Sequence, residues 1–465
     1  MKEKKARLDV LFNPRSAAVF GASDNPAKLG FYVMSSLNGC GFRGPVYPIN
    51  PGQSEVLGRP AYPDLEQIPG PVDLAVVCVP GRHLPEIIRQ CSAKGVQGLV
   101  VISSGFGEIE DPAGAGRQAE ITELADQAGL PIIGPNTFGF VNAHLALNAT
   151  FCPEFLQADS PWVGLPGHAA LVSQSGGVAG IVVNRAYQEN VRFSKVIGLG
   201  NRCNVGFPEI LEYLDHDEQT KVVCLYMEGA GRPGRLLDFA RSRTKGKPVL
   251  VYKAGHWSRS DQASKSHTGT MAGRHEIYQG LFRQMGFVAV NSCEELLDAA
   301  KVFSLAVKPQ GRSAAVLSAQ AGPALAASDF LEAGGLAIPA FSGSTRKTIE
   351  ELLPPLSLRS NPVDLAFAWY DLGLTQKIIE TLVQDPDIGS IMFMAVYGSA
   401  NIGVVKTVTP VLLDAARVKP VVTCLSAPFG IWDEDIAVLE EGGAPNYPTP
   451  ERAARALVNL VDYYC

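Results

Sequence analysis

Short apolar runs return along the whole chain, each followed by a stretch with helical spacing, and this alternation restricts the fold more than any other feature. Up to about residue 145 the runs are SAAVFGAS, GPVYPINP, VDLAVVCVP, GLVVISSG and LPIIGPN. Between them lie helix-like stretches such as LPEIIRQCSAKGV and GRQAEITELADQAG. Strand alternating with helix predicts a parallel sheet with helices on both faces. A second block repeats the pattern in HAALVSQSGG, FSKVIGLGN, KVVCLYMEG, KPVLVYKAG and FVAVNS, and closes near residue 305 after SCEELLDAAKVFSLA. The short polar KPQGR leads to a third, with RSAAVLSAQAG, LAIPAF, IGSIMFMAVYG and KPVVTCLSA. The blocks share an architecture without an obvious sequence repeat. They predict three α/β domains in series, 1–145, 146–307 and 308–465.

A chain of 465 residues, 46% hydrophobic and 18% charged, has enough apolar material for several cores. A net charge of −6 without a dense basic block argues against nucleic acid as a partner. No run has the length of a membrane span, and MKEKKARLDVLFNPRS lacks the apolar core of a signal peptide. Nine cysteines are scattered without metal-ligand spacing, mostly in apolar runs, as reduced thiols of a cytoplasmic protein would be.

Open parallel sheets bind ligands on the loops at the carboxyl ends of their strands. In the first block, VFGASDNPAKLG follows a strand and opens a helix, with Gly21, Ala22 and Ser23 small enough for a phosphate to approach the backbone. It is not GxGxxG, and no acidic residue follows GPVYPIN to take a ribose hydroxyl. Several small-residue strand ends together, PINPG, CVPGRH and ISSGFGE, suit an elongated phosphate-bearing ligand other than NAD. In the second block, SQSGGVAG is another strand-to-helix turn, where Ser175, Gly176 and Gly177 would offer an anion site. Glu228 closes the strand KVVCLYME at the same edge. His267 stands in SKSHTGTMAG, on the loop after the next strand and ahead of a helix with Ile277, Tyr278, Leu281, Phe282 and Met285 on one face. A solvated loop histidine and a covalent nucleophile are both compatible with that segment taken alone. A carboxylate able to orient it and an anion cradle at one edge favour the nucleophile.

The ordered set GASDNPAKLG, YPINP, ISSGFGE, GPNTFGFVN, LVSQSGGVAG, YMEG and SHTGTMAG resembles the NDP-forming acyl-CoA synthetase superfamily. The resemblance is to the α subunit of ADP-forming acetyl-CoA synthetases, related to succinyl-CoA ligase, and it spans essentially the whole chain. It implies a Rossmann-like CoA-binding domain followed by two flavodoxin-like ligase domains. It places CoA against Gly21, Ala22, Ser23, Asn50, Pro51, Pro80 and Ser103. It makes His267 the transiently phosphorylated residue and Glu228 its carboxylate partner. The helix after SQSGG, with Asn136 of GPNT, would hold the phosphoryl group. Phe138 and Phe140 are candidates for an acyl pocket between the first two domains.

No stretch offers the lysine and carboxylate set of the family's ATP-grasp domain, so ADP or ATP and Mg²⁺ are expected on a β subunit, in an α2β2 heterotetramer. No metal site is expected on this chain. Thr137 stands where the family has cysteine, Asn204 where it has aspartate, and SAQAG where it has a TN-GGG type turn. PINPGQ also lacks a lysine often found after that proline. These departures motivate a second reading, a CoA-binding regulatory or scaffold protein without ligase turnover. The intact SHTG and YMEG favour the enzyme.

Overall fold

The apolar runs fold as strands with almost no exposed face, as parallel strands under helices require. The computed structural model describes residues 2–231, 233–243, 246–255, 275–399 and 402–465. The chain forms two compact units, Met1–Asn291 and Ser292–Cys465. In the first unit the opening strands are β1 (Ala17–Phe20), β2 (Val46–Ile49), the short β3 (Glu55–Val56) and β4 (Arg59–Pro60), β5 (Leu74–Val77), β6 (Gly98–Val101) and β7 (Ile132–Ile133). They are followed by β8 (Gly139–Asn142), β9 (Leu147–Thr150), β10 (Ala169–Ser173), β11 (Phe193–Gly198), β12 (Val222–Met227), β13 (Val249–Lys253) and β14 (Val288–Val290). The second unit adds β15 (Ala314–Ser318), β16 (Leu358–Arg359), β17 (Val363–Asp364), β18 (Ser390–Val396) and β19 (Val421–Ser426).

Three main sheets result, ordered β2-β1-β5-β6-β7, β14-β13-β12-β10-β11-β8-β9 and β16-β17-β15-β18-β19. Counting only each sheet's parallel strands in chain order, every one reads 2-1-3-4, with a fifth strand in the first two. That common order is the flavodoxin-like winding, whose crevice opens between strands 1 and 3 at their carboxyl ends. The shared architecture read from the sequence is therefore a shared topology.

Two elements depart from the sequence reading. The second sheet is mixed: β8 runs antiparallel to β11, and β9 antiparallel to β8. Residues expected to close the first block thus belong to the second sheet, where they cover the edge of β11. Phe140 of β8 is fully buried, with Phe12 of the N-terminal helix edge-on at 5.0 Å, and Phe12 stacks on Tyr213 at 4.7 Å. Asn142 binds the same helix, its amide donating to the Phe12 carbonyl at 2.9 Å. We expect Phe12→Ala to lower stability by about 3–5 kcal/mol, the usual cost of deleting a buried aromatic ring. Chemical denaturation of the full chain measures it, and a loss below about 1 kcal/mol would contradict this packing.

The second departure is helix Cys293–Leu305. Its sequence reads as the end of the second block, but it packs in the second unit. Its polar residues decide this. Asp298 and Lys301 are buried, and Arg452 grips Asp298 with two hydrogen bonds of 2.9 and 2.6 Å. Lys301 donates to Glu440 at 2.7 Å. Buried charges need such partners, and these are supplied by helices Asp433–Glu441 and Pro450–Tyr464 of the second unit.

No described helix is long and apolar enough to cross a membrane. None of the nine cysteines forms a disulfide, and burial pushes the Cys78 and Cys91 thiols up to about 12, which leaves them protonated and unreactive at neutral pH.

Candidate active site

The crevice of the first sheet lies between β1 and β5, and the turn after β1 is tightly built. Gly21 has φ +79°, and a Cβ there would come within 2.8 Å of Val79. Gly30, in the first turn of the following helix, packs on Gly21 so closely that a Cβ would lie 2.0 Å from its carbonyl oxygen. Only glycine permits either approach. Asn50 knots the next loop: its amide donates to the Ala22 carbonyl at 2.8 Å and its oxygen accepts from Gly52 N–H at 2.8 Å. The Ser103 hydroxyl donates to the Val79 carbonyl at 2.5 Å, and the Ser23 hydroxyl accepts from Asn25 N–H at 3.1 Å. Pro51 and Pro80 are exposed on the neighbouring loops. These residues share one sheet edge, as expected. Their polar side chains mostly brace the loops. A cradle narrowed to glycine at its base fits an extended phosphate-bearing molecule such as CoA.

The crevice of the second sheet lies between β10 and β12, and the turns after those two strands meet there. Ser175 is the N-cap of helix Gly176–Gln188, its hydroxyl accepting from Val178 N–H at 3.3 Å. Gly176 and Gly177 are exposed in the first turn. Among the described residues nothing demands glycine at either position. Neither has positive φ, and an added Cβ would meet nothing nearer than 3.5 Å at Gly176 or 3.9 Å at Gly177. What their missing side chains leave is clear access to the N–H groups of a helix start, an anion-binding geometry.

Across the crevice, Glu228 is buried at the end of β12, in a turn braced from three sides. The side-chain oxygen of Gln174 accepts from Glu228 N–H at 2.7 Å and Gly229 N–H at 3.0 Å. Arg202 donates to the Gly229 carbonyl at 2.8 Å, and the Tyr278 hydroxyl accepts from Ala230 N–H at 3.2 Å. Burial pulls the Arg202 guanidinium below its ordinary pKa, against the opposing pull of Tyr278 and the Glu228 carboxylate. A cleft of about 270 Å³ opens beside this turn, with Arg202, Ala230, Gly231 and Arg235 in its wall.

His267 lies outside the described residues, but the elements on both sides of its segment reach the Glu228 turn. Met227 of β12 pairs in register with Lys253, the last residue of β13. Lys253 is buried, with its ammonium bonded to the Ala254 carbonyl and 4.7 Å from the centroid of the Tyr278 ring. Tyr278 itself sits on helix His275–Met285, which follows the segment. That helix buries Tyr278, Phe282 and Met285, while Ile277, expected on the same face, is 65% exposed. The buried face follows i, i+4, i+7 from Tyr278, which leaves position 277 outside it.

Asn136 is held by its own set of bonds. It adopts φ +56° after a cis Gly134–Pro135 bond, donates from its backbone to Ser103 O at 2.9 Å, and from its amide to Asn201 at 3.3 Å. Asn201 in turn donates to Glu108 at 2.5 Å. Burial opposes ionisation of Glu108, but hydrogen bonds from Asn201, Gly105 and Phe106 hold its carboxyl below the usual range. This network ties the edge of the first sheet to that of the second.

Two of the unusual residues have structural roles. The Thr137 hydroxyl donates to the Gly198 carbonyl at 2.7 Å and accepts from Gly139 N–H at 3.1 Å. The Asn204 amide donates to Asp126 at 3.1 Å and the Leu130 carbonyl at 3.0 Å, a pair of bonds that an aspartate could not make. Phe138 and Phe140, the candidates for an acyl pocket, pack against other aromatic rings. Both rings are buried, Phe138 against Phe155 at 5.6 Å and Phe140 against Phe12. The parts that Gln174, Arg202 and Tyr278 play in the Glu228 turn gave no signal in the sequence, because the groups they hold lie 27 to 55 residues away.

Both sheets of the first unit match known families. Residues 15–143 match the CoA binding domain, and residues 166–303 match the succinyl-CoA ligase like flavodoxin domain. This is the class of α/β proteins in which a CoA-binding Rossmann-like domain precedes flavodoxin-like ligase domains. The chain is 35% identical to the acetate–CoA ligase [ADP-forming] II subunit alpha of Pyrococcus furiosus, over 98% of this chain and 97% of that one. It is 30% identical to the 4-hydroxybutyrate–CoA ligase [ADP-forming] of Nitrosopumilus maritimus, over 97% of this chain and 64% of that protein. Among solved structures it resembles the dinucleotide forming acetyl-coenzyme A synthetase 1 of Candidatus Korarchaeum cryptofilum, in complex with phosphate and ADP. The TM-score is 0.88 at 31% identity, over 98% of this chain and 96% of that one. The chain belongs to the family of α subunits of ADP-forming acetyl-CoA synthetases.

Proposed function

We propose that this chain works with an ATP-grasp β subunit to interconvert acyl-CoA, phosphate and ADP with a carboxylate, CoA and ATP. Phosphate attacks the thioester carbonyl, releasing CoA as the thiol and forming an acyl phosphate. The neutral imidazole of His267 then attacks the phosphorus, and the carboxylate leaves. The phosphohistidine gives its phosphoryl group to ADP held with Mg²⁺ on the partner, and every step is reversible. Imidazole suits the relay because it is nucleophilic near neutral pH and its phosphoramidate remains reactive.

The observation that carries this reading is the braced Glu228 turn, which faces an open helix start across the crevice of the second sheet. The elements flanking the His267 segment both reach that turn. A carboxylate fixed there would set the imidazole tautomer and offset its positive charge during transfer. Cysteines without disulfides agree with a reducing cytoplasmic setting. The subunit designation of the Pyrococcus relative supports a β partner, and an α2β2 assembly is the corresponding arrangement. We assign the nucleotide to that partner; the three main sheets of the described residues are each wound in the flavodoxin-like order.

Purified alone, the chain should bind CoA, show no measurable affinity for ADP or ATP, and form phosphohistidine from acyl-CoA and labelled phosphate. Adding the partner should make label transfer depend on ADP. Tight ATP binding to the isolated chain by calorimetry would show that the nucleotide site has been misplaced. Absence of acid-labile label from acyl-CoA and phosphate would favour a binding protein without ligase turnover.

A further inference from the structure

Half of the Gln174 amide has no role in the fold. Its oxygen takes two backbone N–H groups, from Glu228 at 2.7 Å and Gly229 at 3.0 Å. An NH₂ group cannot accept from either donor, so the chemistry fixes which way the amide faces. The nitrogen is then at the other end, buried on a residue only 8% exposed, and it has no hydrogen-bond partner among the described residues. Leaving a buried donor unmet is unfavourable, and natural folds rarely tolerate it without a reason. The turn alone does not supply that reason, since a side chain with acceptors only would hold both N–H groups equally well.

Position suggests what the nitrogen awaits. Gln174 directly precedes the N-cap Ser175, so its amide stands between the Glu228 turn and the first turn of the thirteen-residue helix Gly176–Gln188. A group bound there is anionic and rich in acceptors. We infer that Gln174 donates from its amide nitrogen to an oxygen of the phosphate or phosphoryl group. This inference rests on the reaction proposed above and adds a residue to it. The same amide would then couple the two halves of the site. Donation from the nitrogen polarises the amide and strengthens its oxygen's hold on the turn that carries Glu228. Occupancy by phosphate would tighten the carboxylate's position.

Two substitutions separate donation from bracing. Gln174→Glu keeps an oxygen for the two N–H groups and removes the donor, while Gln174→Met removes both without adding charge. Inorganic phosphate is titrated into the full chain and followed by ³¹P NMR, with CoA binding and thermal melting measured alongside. We expect both variants to bind phosphate about 10–100-fold more weakly, the loss of one hydrogen bond to a charged group, with CoA affinity unchanged. Only Gln174→Met should also melt earlier. With the partner present, the KM for phosphate should rise more than kcat falls. Phosphate affinity of Gln174→Glu within twofold of wild type would overturn the inference. So would loss confined to Gln174→Glu, which would indicate charge repulsion alone, or failure of the wild-type chain to bind phosphate. If the wild-type chain forms acid-labile label while both variants bind phosphate normally, the inference fails and the reaction stands. Phosphate binding that needs Gln174 in a chain that never forms label would mean the reverse.

Discussion

With His267→Ala, the chain is expected to take up no acid-labile phosphate from acyl-CoA and phosphate. Turnover with the partner should fall below about 10⁻⁴ of wild type, as loss of a covalent nucleophile does. The reason is chemical. Without the imidazole there is no group to carry the phosphoryl between two sites, and an acyl phosphate formed at the first has no route to ADP at the second. His256 and His275, its neighbours in sequence, stand in no comparable motif and should not substitute. CoA binding should survive, because the candidate CoA loops belong to the first sheet and His267 follows the fourth parallel strand of the second. Unchanged CoA affinity and an unchanged melting curve would separate lost chemistry from lost structure. Stoichiometric acid-labile phosphate on the alanine variant would refute the assignment of His267.

Glu228→Gln should preserve the fold while slowing phosphohistidine formation by roughly 10⁴-fold, the loss seen when the carboxylate of a His–Asp pair becomes an amide. The fold should survive because the bonds from Gln174, Arg202 and Tyr278 are made to main-chain groups of residues 228–230, not to the carboxylate. What changes is charge and hydrogen-bonding sense. An amide offers an N–H where the imidazole needs an acceptor, and it no longer offsets the positive charge that develops during transfer. Rapid-quench measurement of label from acyl-CoA and phosphate reads this step directly. A rate equal to wild type would reduce Glu228 to an ordinary strand-end residue.

How the chain organises itself is largely legible in its sequence. Apolar runs alternating with helical stretches specify parallel sheets, and the small residues after each strand mark where ligands can approach the backbone. The Gly21 turn, SQSGG and Glu228 could all be placed at carboxyl edges on that basis. Periodicity records which face of an element is buried, but not what it is buried against. For that reason the residues of β8 fall in the first block on the sequence reading, although they complete the second sheet.

Buried charges show the same limit. Asp298 and Lys301 look like a solvated helix face until Arg452 and Glu440 come from 154 and 139 residues away to pair with them. Gln174 gives no signal of its own in a strand-to-helix turn, because the N–H groups it holds lie 54 and 55 residues further on. The order 2-1-3 makes β10 and β12 neighbours and so brings those residues together. Strand type, turn chemistry and the positions of candidate groups are local properties, set by residues within a few places of one another. Which buried donor meets which acceptor depends on the pairing of distant strands, and only the tertiary structure decides that.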